Sequence, residues 1–443
     1  MNRIIPAIGM LGLNVIYLAV LTVCSPFILW VAWRHGKYRQ GWAEKLLGRV
    51  PRREDQADCF WFHAVSVGEV NLLRTVIPQV QREFPGWSVV VSTTTKTGYE
   101  LLRRQHDDLL TFYCPLDFSW AVRRAMRRIR PTALVLTELE LWPNLIHVAK
   151  QCDAKVLLIN GRMSEKSFRG YRQIVWFVRR LLRKLDVTAV QNQEYYSRFL
   201  RLGADPQRTR VTGSLKFDGA ETARSNSTTL RLSRLWNVNE SDRVLLAGST
   251  QSPEERLALE AFGQLSLHHS EARLILVPRH PERFDEVARL LESRGDDWCR
   301  RSELVDGQCR RTKVLLVDTI GELRGWWGVA MTGFVGGSMG SRGGQNMIEP
   351  AAFGVATCFG PQTQNFRDVV QMLISAQAAK IVEDGEELYS FWAECLARPE
   401  YAEQIGCRAQ RVVREQQGAT ERTMDWMADV LGVRRVCESD EAA

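Results

Sequence analysis

A glutamate at position 69 stands where acid–base chemistry is possible. Cys59-Phe-Trp-Phe-His63 reads as a short apolar strand, and Ala64 to Gly68 as a turn of small residues. Val70, Leu72, Leu73, Val76 and Ile77 then repeat with helical spacing. Strand, tight turn and helix start make half of a βαβ unit. In an open parallel sheet the crevice beyond the strand C-termini receives ligands. A carboxylate there lies beside backbone N–H groups and the positive helix end, so it is expected to stay ionised. Aimed into a cleft, it can take the proton of a substrate hydroxyl. The plainer reading is a charge that serves the helix dipole alone, and the rest of the chain decides between the two.

Further chemistry-bearing residues also follow apolar runs. Thr137-Glu-Leu-Glu-Leu-Trp-Pro-Asn144 follows the strand 133–136 and places Glu138 and Glu140 at its mouth. Two carboxylates there are costly unless solvated, paired or functional. Asn160-Gly-Arg-Met-Ser164 and Thr212-Gly-Ser-Leu-Lys-Phe-Asp218 each present a cation with hydroxyls or amides, which suits an anionic ligand. In the second half, Pro278-Arg279-His280-Pro281 holds an arginine suited to bidentate phosphate contact. Gly321, with Ile320 and Glu322 beside it, is expected to open a helix whose N–H groups favour phosphate. Gly336-Gly-Ser338 and Gly343-Gly-Gln-Asn-Met-Ile-Glu-Pro350 form the richest loop, where glycines allow close backbone approach. Asn346 and Glu349, three apart, are expected on one face of a nascent helix. They could hold a nucleotide by amide and carboxylate. Each cluster alone is weak. Their shared position after strands is hard to explain by chance.

The elements that must carry these residues alternate strand and helix, which implies parallel α/β sheets. In 443 residues, 45% apolar and 25% charged, two such domains and one cleft between them are expected. The segments are an N-terminal membrane anchor (1–33), a first Rossmann-like domain (34–219), a polar linker (220–229) and a second Rossmann-like domain (230–443). A long final helix, 407–431, could pack back across the first domain.

The first segment has no charged residue between Arg3 and Arg34, and it ends in Trp30 and Trp33. A run this long can cross a membrane. Lys37, Arg39, Lys45 and Arg49 follow it, so the positive-inside rule puts the domains in the cytoplasm. Net charge is +8, with arginines grouped at 123–130 and 179–183. No zinc spacing and no aromatic-interleaved basic strand accompanies them, so nucleic acid is not an expected partner. The ten cysteines contain no C-x-x-C and read as reduced thiols. The absence of Asp-x-Asp, of a P-loop and of G-x-G-x-x-G gives no support to metal-chelated diphosphate, NTPase or NAD chemistry.

In order along the chain, His63-Ala-Val-Ser-Val-Gly-Glu69, Glu138-Leu-Glu-Leu-Trp-Pro-Asn144, Asn160-Gly-Arg-Met-Ser164, Gly213-Ser-Leu-Lys-Phe-Asp218, Pro278-Arg-His-Pro281, Gly321-Glu-Leu323 and Gly343–Glu349 resemble the 3-deoxy-D-manno-octulosonic acid (Kdo) transferases of lipopolysaccharide assembly. The likeness runs from the anchor to about residue 375. It implies a GT-B fold, with acceptor on the first domain and nucleotide on the second. It implies inverting transfer of Kdo from CMP-Kdo to a lipid A precursor at the inner membrane. By this resemblance Glu69 is the general base, and Glu140 and Lys216 support the transition state. Pro278, Arg279, Ile320, Gly321, Glu322, Asn346 and Glu349 contact CMP. No cofactor or metal is expected, because departing CMP can be met by cations and helix ends. The sequence departs from the family pattern at Gln251 and Gln345, where histidines are usual. A GT-B enzyme using a UDP-sugar and an inactive lipid-binding protein are the competing readings.

Overall fold

The computed structural model describes residues 4–35, 40–305 and 311–435; Arg3, Lys37 and Arg39 lie outside them. Two compact units emerge: Met1–Asp218 together with Gln417–Ala443, and Gly219–Gln416.

The first unit carries β1 (Cys59–His63), β2 (Ser88–Thr93), β3 (Leu110–Tyr113), β4 (Ala133–Thr137), β5 (Lys155–Gly161), β6 (Val187–Val190) and β7 (Thr209–Val211). They pair in parallel in the order β3-β2-β1-β4-β5-β6-β7. Chain order reverses between β1 and β4, which is where a doubly wound sheet opens its ligand crevice. All five residues of β1 are buried because helices cover both faces. Cys59 and Trp61 face one core, and Phe60 and Phe62 face the other.

The second unit carries β8 (Arg243–Thr250), β9 (Ala272–Pro278), β10 (Trp298–Arg300), β11 (Val314–Leu316), β12 (Thr332–Val335), β13 (Ala356–Phe359) and β14 (Ala379–Ile381), ordered β10-β11-β9-β8-β12-β13-β14. Its reversal lies between β8 and β12. The short edge strand β10 has no expectation behind it in the sequence reading.

Two boundaries differ from expectation. The long C-terminal helix is two helices, Pro399–Gln416 and Ala419–Leu431, parted at Gly418 with φ +85°. The later one belongs to the first unit, so 230–443 is not one domain. Asp218 fixes its start by accepting from the backbone N–H groups of Gly418, Ala419 and Thr420 and from the Thr420 hydroxyl. Ala419, Met424 and Met427 then join the core on the Phe60 face. The polar stretch 220–229 is only partly a linker. Asn226 caps a helix spanning Ser227–Leu235 by accepting from Thr229 N at 2.9 Å. Arg224 is tied into the second unit through the carbonyls of Phe353 and Ala330. Serines, threonines and asparagine suit a helix start as well as a linker.

The N-terminal helix runs from Ile4 to His35, and Met10–Phe27 is long and apolar enough to cross a membrane. It is not detached: Asn14 and Tyr17 bond to side chains of the first unit.

Candidate active site

Helix Val67–Glu83 starts at Ser66, and Glu69 lies in its first turn. The Ser66 hydroxyl accepts from Glu69 N, and Ser-x-x-Glu makes a reciprocal cap. The Glu69 carboxylate accepts from Ser66 Oγ at 3.0 Å, Val65 N at 2.8 Å and Thr137 Oγ1 at 2.7 Å. The cap and the candidate base are thus the same residue. Thr137 is the last residue of β4, so the contact spans the β1–β4 reversal. Glu69 is 7% exposed. Burial raises its pKa above the usual carboxylate value, and the charge of Glu138 adds to this, against the three hydrogen bonds. Burial thus outweighs the helix end in setting this pKa, and the group is the more basic for it.

Glu140 accepts from Trp142 Nε1 at 2.6 Å. Burial, with the charges of Glu69 and Glu138, pushes it up to about 7. Lys216 Nζ sits 3.7 Å from Glu138 Oε1, both partly exposed. Lys216 thus arrives at this cluster through Glu138. Glu138 has φ +54° and Asn160 φ +55°, left-handed backbone that non-glycine residues adopt at a cost. Asn160 is fully buried and accepts from Leu215 N at 3.1 Å, which ties the β5 end to the loop of Lys216. His63 is buried beside Ser92 Oγ, and burial holds its pKa down to about 4, so it is a neutral ring. The first-unit candidates Glu69, Glu140 and Lys216 are therefore gathered at one end of one sheet.

The second-unit candidates lie on loops at the corresponding edge. Pro278 ends β9, and Arg279 N donates to Thr250 O at the end of β8. The exposed Arg279 guanidinium has no partner among the described residues. Ile320 is 81% exposed and Gly321 has φ +93°. Gly321 does not open a helix: the helix is Leu323–Val329, only seven residues, with Glu322 before it. Glu322 is engaged by Arg301 through two 2.7 Å bonds and by the Thr319 hydroxyl, and its pKa is lowered despite burial. Asn346 also precedes its helix (Ile348–Ala352) and accepts from Ile348 N at 3.1 Å. It therefore does not share a helical face with Glu349. Glu349 lies 3.9 Å from Arg324, which joins this helix to the one after Glu322.

Two residues with no expected role organise these sites. Glu254 is 1% exposed and accepts from the N–H groups of Gln251, Gly337, Ser338 and Met339. The amides of the Gly336–Ser338 loop are thus spent on a protein carboxylate. Asp117 accepts from Asn144 N and Leu145 N and fixes the helix after Trp142. Both look in sequence like ordinary acidic residues near helix starts. Among the described residues no group of three or more His, Cys, Asp or Glu could hold a metal ion.

This geometry has known counterparts. Residues 40–219 match the family model described as 3-deoxy-D-manno-octulosonic-acid transferase (kdotransferase). A 3-deoxy-D-manno-octulosonic acid transferase of Haemophilus influenzae is 31% identical over 429 residues, covering 94% of this chain and 98% of that protein. The chain belongs to the Kdo transferase family. A Bordetella pertussis member is 32% identical over 433 residues, covering 94% of this chain and 99% of its own. A glycosyltransferase from Rickettsia africae superposes with a TM-score of 0.55 at 11% identity, covering 85% of this chain and 99% of that one. That likeness speaks for the fold alone. The protein is thus a glycosyltransferase built of two Rossmann-like units, the GT-B class.

Proposed function

We propose that this Kdo transferase moves Kdo from CMP-Kdo to a hydroxyl of a lipid A precursor, with inversion at the anomeric carbon. The observation that carries the reading is the buried, basic Glu69 at the β1–β4 reversal, bonded to Thr137, with Glu140 electrostatically coupled to it. Glu69 takes the acceptor proton as the oxygen attacks the anomeric carbon, and the bond to CMP breaks on the opposite face. One displacement inverts the centre. Lys216 meets negative charge in the acceptor half. Arg279 meets the phosphate of CMP, and Asn346 and Glu349 contact the nucleotide. Ile320 is an exposed apolar surface for the base. These cations supply the electrostatic stabilisation that a metal would otherwise give. The N-terminal helix anchors the enzyme at the inner membrane with both units on the cytoplasmic side, as its apolar length and the basic residues behind it support.

The test is transfer of labelled Kdo from CMP-Kdo to lipid A precursor, run beside UDP-hexoses and with products separated by the number of sugars added. Labelled product from CMP-Kdo alone is expected. Transfer from a UDP-hexose alone assigns the GT-B fold another donor. Binding of lipid without any transfer removes the enzymatic reading of Glu69.

A further inference from the structure

The N-terminal helix carries two polar residues that a plain apolar anchor does not need. Asn14 and Tyr17 lie three apart, on one face. Asn14 is buried: its Nδ2 donates to Ser119 Oγ at 2.7 Å, and its Oδ1 accepts from Ser119 N at 3.0 Å and Asn144 Nδ2 at 3.4 Å. The Tyr17 hydroxyl donates to Asp117 Oδ2 at 3.1 Å, and its ring meets Phe118 edge-on at 6.0 Å. The opposite side keeps Val15, Ile16 and Val23 exposed for lipid. An amide in an apolar run is costly in a membrane unless it is satisfied, and here a folded domain satisfies it.

The residues it meets continue towards the site. Asp117 takes Asn144 N at 2.9 Å and Leu145 N at 2.8 Å, so it fixes the first turn of helix Pro143–Gln151. Asn144 Nδ2 also donates to Asp117 O at 2.5 Å. Trp142, the residue before that helix, holds the Glu140 carboxylate through its indole N–H. The links from the anchor to Glu140 are hydrogen bonds and the short backbone stretch 142–144.

We infer that Asn14 and Tyr17 are positioning residues: by bonding to Ser119, Asp117 and Asn144 they hold the 138–144 segment in place, so that turnover depends on the anchor helix being docked. The inference rests on the reading of Glu140 as part of the acceptor site. A truncation at residue 33 then loses more than membrane attachment.

The experiment uses full-length enzyme and detergent-dispersed lipid A precursor at saturating CMP-Kdo, so that membrane concentration does not enter. Tyr17→Phe removes one oxygen and keeps the ring packing; Asn14→Ala removes the amide; Val23→Ala alters the lipid side. Tyr17→Phe and Asn14→Ala are expected to lower kcat by about three- to thirtyfold, the usual range for coupled networks, with CMP affinity unchanged. Val23→Ala is expected to keep full kcat. Combined with Glu140→Gln, either positioning variant is expected to cost little more than Glu140→Gln alone, the sign of residues acting through one another. Full kcat in both Tyr17→Phe and Asn14→Ala, beside an impaired Glu140→Gln, overturns the inference and leaves the site reading intact. Strictly multiplicative losses overturn it too, because the helix then acts by another route. A fully active Glu140→Gln overturns the site reading and the inference together.

Discussion

The two units place carboxylates at the same edge of similar sheets and treat them in opposite ways. In the first unit Glu69, Glu138 and Glu140 crowd the β1–β4 reversal, and Lys216, 3.7 Å from Glu138, is the cation paired with them. Burial and mutual repulsion leave Glu69 and Glu140 more basic than free carboxyls. In the second unit the carboxylates are neutralised. Glu254 receives four backbone N–H groups, and Glu322 is clamped by Arg301. The exposed guanidinium of Arg279 is left over. One architecture therefore yields an edge suited to moving protons and an edge suited to holding an anion. The difference comes from which charges are paired.

The sharpest way to break this comparison is Glu69→Gln. If the first unit's edge is the proton-moving one, the variant keeps fold and CMP binding and loses about 10²–10⁴-fold in kcat, the usual contribution of a general base. The capping contact survives in part, because the glutamine carbonyl still accepts from Val65 N or Thr137. Steady-state transfer beside a thermal melt separates the two roles. Near-normal turnover would return Glu69 to a purely capping function.

On the other edge, Arg279→Ala is expected to weaken CMP by about ten- to a hundredfold, as loss of a charged hydrogen bond does. Asn346→Ala is expected to act in the same direction and more weakly, since its carbonyl is already committed to Ile348 N. Titrating CMP and acceptor separately checks the assignment. A fall in acceptor affinity with CMP affinity held would exchange the roles of the two units.

Glu254→Gln probes neutralisation itself. The amide end of glutamine cannot accept, so at least one of the buried N–H groups of Gly337, Ser338 or Met339 loses its partner. Each buried group left unpaired costs about 1–3 kcal/mol. A lowered thermal midpoint is expected, with the pH profile of transfer unchanged. An unaltered midpoint would mean that the loop finds other acceptors.

Much of this was legible in the sequence, and the gaps share a cause. The strand ends carrying Glu69, Glu138, Arg279 and Glu349 follow from apolar runs and turns, which are local signals. Edge strand β10 escaped because Trp298-Cys-Arg300 is three half-buried residues with no period to read. The raised pKa of Glu69 escaped for a longer-range reason. Its helix end is local, but its burial depends on Thr137, 68 positions away. Asp117 escaped in the same way, since its partners at 17 and 144 lie far off in sequence. The break at Gly418 was hidden inside continuous helical spacing. What sent the last helix to the first unit is Asp218, 200 positions upstream.

The smallest expected effect tests the crowding directly. Glu138 raises both Glu69 and Glu140 through its charge, although burial is the larger cause in each case. Glu138→Gln removes that charge and frees Lys216 from its partner. Both changes favour the ionised form of the neighbouring carboxyls, so their pKa values fall. A base must be deprotonated to act, so wild-type kcat is expected to rise with pH along a limb above the usual carboxylate range. That limb belongs to the coupled carboxyls together. In Glu138→Gln the limb moves to lower pH: turnover on the acid side of the wild-type limb gains, and turnover on its plateau stays level. A limb that stays in place would show that burial alone sets these groups. The contrast between the two units would then rest on solvent exclusion and not on unpaired charge.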